Sequence, residues 1–146
     1  MLNDNGAPQM IYIDKENVDF YKTSKILGTD NNKIKHHEQF LISLALGFKS
    51  GIKKEVKNPD PSGFTRPSYL SKKQKALICA IAISHHKDVN DIGSVPEIYK
   101  LAEEYANGGI QIIKDLEKDT SHDNYLSGFE RLIDKEIKKI EESEKE

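Results

Sequence analysis

Two pairs of adjacent histidines, His36-His37 and His85-His86, are the residues best suited to metal chemistry in this sequence. Imidazole nitrogens bind zinc and related metals, and one histidine from each pair could meet an acidic side chain such as Glu38 at a common site. Adjacent residues on a helix do not share a face, however, so neither pair forms a two-ligand site alone. No H-E-x-x-H, Walker A, Rossmann or zinc-finger spacing is present. We therefore predict solvated helix ends, with no metal site, no cofactor and no catalytic residue.

A lysine-rich stretch between Gly47 and Lys75 suits a different chemistry, the binding of phosphate groups. It holds eight lysine or arginine residues against two acidic ones, a net charge of +6, whereas residues 114–146 hold seven against eleven, a net charge of −4. Because the whole chain has a formal net charge of −2, the positive charge is a local feature. We predict that the following residues contact phosphate groups, those of a nucleic-acid backbone being one candidate: Lys49, Lys53, Lys54, Lys57, Arg66, Lys72 and Lys73.

Particular residues of this stretch strengthen the prediction. Arg66 lies in a proline-constrained loop and could hold a phosphate through two hydrogen bonds, while Tyr69 or Phe64 could stack on a base. Lys72 and Lys73 lie at the start of a predicted helix, where cations oppose the helix dipole and a bound anion would offset that cost. The alternative, an ordinary solvated surface in a lysine-rich protein, remains open.

Amphipathic helices must position these residues, because apolar residues recur at helical spacing in most segments. We predict an all-α fold, a compact bundle of five or six helices with at most one short N-terminal strand in "MIYI". Residues 1–13 are expected to form a flexible tail, 14–140 a single helical domain and 141–146 a frayed, charged end. The single cysteine, Cys79, excludes an internal disulfide.

Capping residues and apolar stripes locate the individual helices. Asp14 is the predicted N-cap of a helix over 15–27, and a second helix is predicted over 33–49. Prolines and glycine then interrupt regular structure until Ser71 and Gln74, which form a capping box. The helix that follows contains "KALICAIAIS", which is apolar on all sides and is therefore placed at the centre of the core.

Two more predicted helices complete the chain. Ser94 and Glu97 form a second capping box at the start of a long amphipathic helix. The last helix carries an apolar stripe made of Phe129, Leu132, Ile133, Ile137 and Ile140.

Three helix-breaking residues, Asn107-Gly108-Gly109, lie in the middle of the long helix. In one interpretation a helix ends there in a left-handed conformation and another begins near Ile110. In the other the helix continues, and the glycines admit the close approach of another helix or of a ligand. The sequence leaves both interpretations open.

The hydropathy of the chain gives no sign of a membrane protein. The longest uninterrupted apolar run, residues 76–83, has eight residues, whereas a helix needs about 20 to span a bilayer. The polar N-terminus "MLNDNGAPQM" lacks the pattern of a signal peptide. We expect a cytoplasmic protein.

Several segments resemble, in this order, a family of DNA phosphorothioation-associated (dnd system-associated) proteins, type four. The segments are "FLISLALGFKSGIKKEV", a loop with Arg66, "KALICAIAIS" and "IYKLAEEYANGGIQII". The resemblance covers about 14–118, and "EEYANGG" is its most specific part. The chain departs from the family pattern by an insertion, "NPDPSGF". Members sit beside systems that replace a phosphate oxygen of DNA with sulfur or restrict DNA lacking that mark, which implies a role in antiviral defence without implying a reaction.

These observations lead to one functional prediction and two alternatives. We predict a non-catalytic accessory protein of a prokaryotic DNA phosphorothioation modification or restriction system, which contacts the DNA backbone without sequence preference. Its expected partners are DNA and other proteins of the same system, with no membrane, and a homo-oligomer is compatible with the sequence. The first alternative is a protein-interaction subunit whose last helix docks on a larger nuclease or ATPase without touching DNA. The second is a metal-dependent nuclease that uses His37 and His86.

Overall fold

The computed structural model describes residues 5–28, 34–119, 133–135 and 137–142. Its α-helices are α1 (Val18–Thr23), α2 (His36–Ser50), α3 (Lys72–His86) and α4 (Val95–Asp119). Short 3-10 turns occupy Lys15–Asn17, Pro67–Tyr69 and Val89–Asp91, and residues 133–135 and 137–142 are also helical. No strand occurs within these ranges, where isolated bridges join Ile11 to Thr65 and Asp14 to Pro59. The predicted all-α fold is confirmed.

Helices α2 and α4 cross at very close range, and glycines make this possible. A β-carbon added to Gly109 would stand 1.7 Å from the carbonyl oxygen of Ser43, and one added to Gly47 would stand 1.9 Å from that of Tyr105. Helix α4 runs unbroken through Asn107-Gly108-Gly109. The interpretation of a helix end at this point is therefore wrong, and the glycines serve close helix packing.

The centre of the core lies between α2 and α4, not at α3. Buried side chains at this centre include Phe40, Leu44, Ile110 and Ile113, none of which is more than 1% exposed. Helix α3 buries only Ile78, Ile81 and Ala82 among its residues, whereas Leu77 is 42% exposed. The prediction of α3 as the central helix was wrong. Its solvent-facing side also carries apolar and small residues, so the sequence pattern does not reveal which side of the helix faces the core.

The segment before α1 belongs to the core, although residues 1–13 were predicted to form a flexible tail. Ile11 and Ile13 are buried, at 0% and 4% exposure. The backbone of Ile11 donates to the carbonyl of Thr65 at 2.8 Å and accepts from the N–H of Phe64 at 2.8 Å. These partners come from a loop more than fifty positions away, so local sequence gave no sign of them.

The first helix is shorter than predicted, and Asp14 does not cap it. Asp14 Oδ1 instead accepts from the backbone N–H of Asn58 at 3.0 Å, and Oδ2 accepts from the Asn107 side chain at 3.1 Å. After Thr23 the chain turns at Ser24, whose hydroxyl donates to Glu117 Oε1 at 2.6 Å. A tertiary contact with α4 thus replaces the last turn of the predicted helix.

Other helix ends agree with their sequence signals. Gly51 ends α2 in the left-handed conformation, with φ of +68°. Both hydrogen bonds of the capping box between Ser71 and Gln74 are present, at 3.1 and 2.8 Å. Before α4, the Ser94 hydroxyl accepts from the Glu97 N–H at 3.4 Å.

Part of the predicted last helix can be placed. Phe129 and Leu132 lie outside the described residues, whereas Ile133, Ile137 and Ile140 are helical and 41–47% exposed. No helix among the described residues is long and apolar enough to cross a membrane.

Candidate nucleic-acid interface and a carboxylate-lined cleft

All seven residues of the predicted DNA-contacting set lie on the surface, where their charges are available to a ligand. Lys54 pairs with Glu16 at 3.7 Å, and this is the only ion pair within the described part of the chain that involves a member of the set. Both partners are at least half exposed, so this pair contributes little to stability.

The fold places four members of the set in two groups at opposite ends of α3, with Arg66, Lys72 and Lys73 at one end and Lys53 at the other. Lys72 and Lys73 lie in the first turn of α3, close to Arg66, which precedes the 3-10 turn Pro67–Tyr69. Lys53 lies near the other end, where burial lowers the pKa of His85 and the Lys53 charge adds to that effect. From Lys72 to His85 the helix extends about 20 Å, at about 1.5 Å per residue.

Helix α3 joins these groups without a negative charge of its own. It contains no aspartate or glutamate between Lys72 and His86. Its exposed side presents Leu77, Ala80 and Ser84, which are uncharged. Acidic residues begin again at Asp88, after the helix has ended. A phosphate chain following α3 would therefore meet cations at both ends and no carboxylate of the helix itself.

A basic pocket beside the first group was not predicted. A cavity of about 400 Å³ is lined by Lys35, His36, His37, Thr65 and Tyr69. The Tyr69 ring is 59% exposed and is free to take part in stacking. The sequence predicts a solvated helix end for His36 and His37, and it could not show that the start of α2 faces the Arg66 loop.

Phe64, the other aromatic residue predicted to stack on a base, has a structural role. Its ring packs against Tyr21 and His36, with centroid separations of 4.6 Å in both cases. The ring is half-buried beside the core. Tyr69 is therefore the better placed of the two predicted stacking residues.

The loop that carries Lys53, Lys54 and Lys57 is anchored to α4 through its backbone. The Lys54 N–H donates to the Glu104 carbonyl at 3.0 Å. The Asn107 side-chain nitrogen donates to the carbonyls of Lys54 and Glu55, at 3.3 and 3.1 Å. The lysine side chains thus project from a fixed backbone.

The two histidine pairs lie in different parts of the molecule. His36 contacts Gln39 at 2.9 Å at the start of α2, whereas His85 contacts the Tyr105 hydroxyl at 2.7 Å at the end of α3. Within the ranges that the structure describes, no three histidine, cysteine or carboxylate side chains form a group able to hold a metal.

A second cavity, of about 330 Å³, is formed by the N-terminal segment, the loop after α2 and the first turns of α4. Its side chains are mainly apolar, with three carboxylates and one amine, and comprise Pro8, Met10, Tyr12, Glu55, Val56, Pro59, Pro96, Tyr99, Lys100, Glu103 and Glu104. We call this cavity the Glu103 cleft. The sequence does not predict this cleft, because its walls come from three separate stretches of the chain.

Glu103 is the most perturbed carboxyl group in the cleft. Its Oε2 accepts from the Tyr12 backbone N–H at 2.6 Å. Burial is the main influence on this group and raises its pKa to about 7, with Glu104 adding to the rise, while the Tyr12 hydrogen bond and Lys100 oppose it. A carboxyl group near half-ionisation at neutral pH is a recognised mark of a binding or catalytic site.

Comparison with known proteins adds one positive finding. Residues 21–146 match the model of a family described as DNA sulphur modification system-associated protein 4. No curated protein and no solved structure matches the chain significantly.

Proposed function

The chain belongs to the DNA sulphur modification system-associated protein 4 family, and from this premise we propose that it is a non-catalytic accessory protein that contacts the DNA backbone. Association with a DNA sulphur modification system follows from the family. Contact with DNA and the absence of catalysis are our proposals. The partners expected under this proposal are DNA and the other proteins of the same system.

The observation that carries the proposal is the charge distribution along α3. Exposed cations lie at both ends of a helix that has no acidic residue. The length of about 20 Å from Lys72 to His85 along α3 equals about six base-pair steps of duplex DNA, at about 3.4 Å per step. Lys53 at one end and Arg66, Lys72 and Lys73 at the other would each neutralise a phosphate.

The basic pocket next to Arg66 extends this surface. Lys35 and His37 line the same pocket as Tyr69 and add donors, and an exposed tyrosine can stack on an unpaired base or pack on a sugar. Most cations of this surface are lysines, which contact phosphates as point charges, so we propose binding without sequence preference.

The test is fluorescence anisotropy of labelled duplex and single-stranded DNA, titrated with the protein over a series of salt concentrations. Backbone binding predicts a linear fall of the logarithm of the affinity with the logarithm of the salt concentration. Absence of binding at low salt would contradict the proposal. Comparison of phosphorothioate with ordinary DNA then shows whether sulfur changes the affinity.

A second function is favoured by the described part of the last helix. Ile133, Ile137 and Ile140 follow a spacing of four and three residues, which places them on one side of a helix, and all three are exposed. An exposed apolar row of this kind suits docking on a larger protein of the same system. This alternative needs no contact with DNA.

A further inference from the structure

The Glu103 cleft is left unused by the proposed contact with DNA. Its three carboxylates against one amine would repel phosphate, so the cleft is a poor site for nucleic acid. Its prolines and tyrosines are equally unsuited to a strongly hydrated metal ion. Apolar walls around a carboxylate are instead the surroundings that suit an organic cation.

Glu103 has hydrogen-bonding capacity left in the cleft. Oε2 accepts from Tyr12, and among the described residues no hydrogen-bond donor to Oε1 is present. Lys100 is the nearest lysine on the same helix face, yet it makes no ion pair with Glu103 in the described part of the chain. A partly buried carboxylate without a paired cation is unfavourable, and a cationic ligand would relieve this cost.

The walls of the cleft are held in place before any ligand binds. Asn107 donates to the carbonyl of Glu55 on one wall and to Asp14, two positions after Tyr12, on the other. The Lys54 backbone is bonded to Glu104 on the helix that forms the floor. A preformed cleft loses little conformational entropy on binding.

We propose that the Glu103 cleft binds an arginine side chain of a partner protein, with its guanidinium on Glu103 and its methylene stem against Tyr12 and the prolines. Arginine fits better than lysine because a guanidinium is weakly hydrated, stacks on aromatic rings and can donate two parallel hydrogen bonds to a carboxylate. This site is independent of the proposed contact with DNA, and neither inference depends on the other.

Binding of a cation at this site must depend on pH, because only the ionised carboxylate attracts it. The charged groups around Glu103 are Glu55 from the loop and Lys100 and Glu104 from α4, and within residues 5–13 the N-terminal segment adds only the Tyr12 amide. With a pKa of about 7 in the free protein, Glu103 is mostly neutral at pH 6 and mostly charged at pH 8. The affinity should therefore be about tenfold higher at pH 8 than at pH 6.

The probe is the capped tripeptide acetyl-Leu-Arg-Leu-amide, and its control is the same peptide with citrulline, which replaces the guanidinium by a neutral group of nearly equal shape. Binding to the full chain is followed by NMR through the amide signals of Tyr12 and Glu103. We expect the arginine peptide to shift both signals and to bind at least about tenfold more tightly than the citrulline peptide. A lysine peptide should fall between them.

Two variants make the result specific. Glu103→Gln keeps an acceptor for the Tyr12 N–H and removes the charge, so it should lose the preference for arginine over citrulline and the dependence on pH. Glu38→Gln removes one carboxylate outside the cleft. It should change neither the preference for arginine over citrulline nor the dependence on pH. Equal affinity for the two peptides, an unchanged preference in Glu103→Gln, or no shift of either amide signal would overturn the proposal.

Discussion

Gly109 of α4 lies against Ser43 of α2 with no room for a side chain. A β-carbon at position 109 would stand 1.7 Å from the Ser43 carbonyl oxygen and 2.8 Å from the Gly47 nitrogen. Because both neighbours are backbone atoms of a helix, neither can move aside independently. The two central helices can therefore pack as observed only if position 109 is glycine.

This contact predicts that Gly109→Ala destabilises the protein, although alanine normally favours a helix by about 1 kcal/mol over glycine. Forcing α2 and α4 apart should cost roughly 3 kcal/mol net, measured by urea denaturation. Gly51→Ala is the control, since nothing lies within 4 Å of its added β-carbon, and only its positive φ is strained. It should cost about 1 kcal/mol. A Gly109→Ala variant as stable as the native protein would refute the close packing.

Asn107 should be as important as the glycines beside it. Its buried side chain donates to Asp14, Lys54 and Glu55 and accepts from Asn17 at 2.9 Å. Asn107→Ala would leave several of these buried groups without partners, at a cost of about 2–3 kcal/mol. Hydrogen exchange should show faster exchange at the N–H groups of Lys54 and Asn58. Asn90→Ala, at an exposed turn, should leave both stability and exchange nearly unchanged.

The proposed DNA surface makes a quantitative prediction about salt. Each phosphate contact on duplex DNA contributes about 0.9 to the slope of log affinity against log salt. The fourfold variant Lys53→Gln, Arg66→Gln, Lys72→Gln, Lys73→Gln should therefore flatten the slope by about 3–4 and weaken binding at low salt. The control, Lys15→Gln, Lys22→Gln, Lys118→Gln, removes exposed charge elsewhere. Equal slopes for the fourfold variant and the native protein would show that the surface is misplaced.

The raised pKa of Glu103 predicts how stability depends on pH. Since its folded pKa of about 7 exceeds the ordinary value of 4.5, the carboxyl contributes stability below pH 4.5 that is lost as the pH rises through 7. The native protein should lose up to about 3 kcal/mol relative to Glu103→Gln between pH 4.5 and 8. Denaturation of both proteins across this range measures the difference. Parallel stability curves would mean that Glu103 has an ordinary pKa.

The exposed isoleucines distinguish docking from packing in the last helix. Changing Ile133, Ile137 and Ile140 to serine should leave the melting temperature nearly unchanged, because all three side chains are already 41–47% exposed. If this helix docks on another protein of the system, the same variant should fail to retain that protein in a pull-down. A large loss of stability would instead assign these residues to the core.

Local signals account for much of the helical pattern. Ser71 and Gln74 form their capping box because they are three positions apart, and Gly51 ends α2 because it adopts positive φ easily. Such features depend on neighbours within one turn. The same limit explains the errors, since Asp14 was assigned to a local cap although its partners are Asn58 and Asn107.

By itself, the sequence determined the all-α class, most helix ends and the local excess of lysine and arginine, because each depends on residue type and short spacing. Tertiary structure alone decided that Ile11 joins the core, that Gly109 meets Ser43, and that Glu103 shares a cleft with Tyr12. The reason is physical. A glycine within a helix is unfavourable by itself, and it is justified only where a partner helix occupies the space of the missing side chain. A glutamate has an ordinary pKa unless distant segments of the chain exclude water around it.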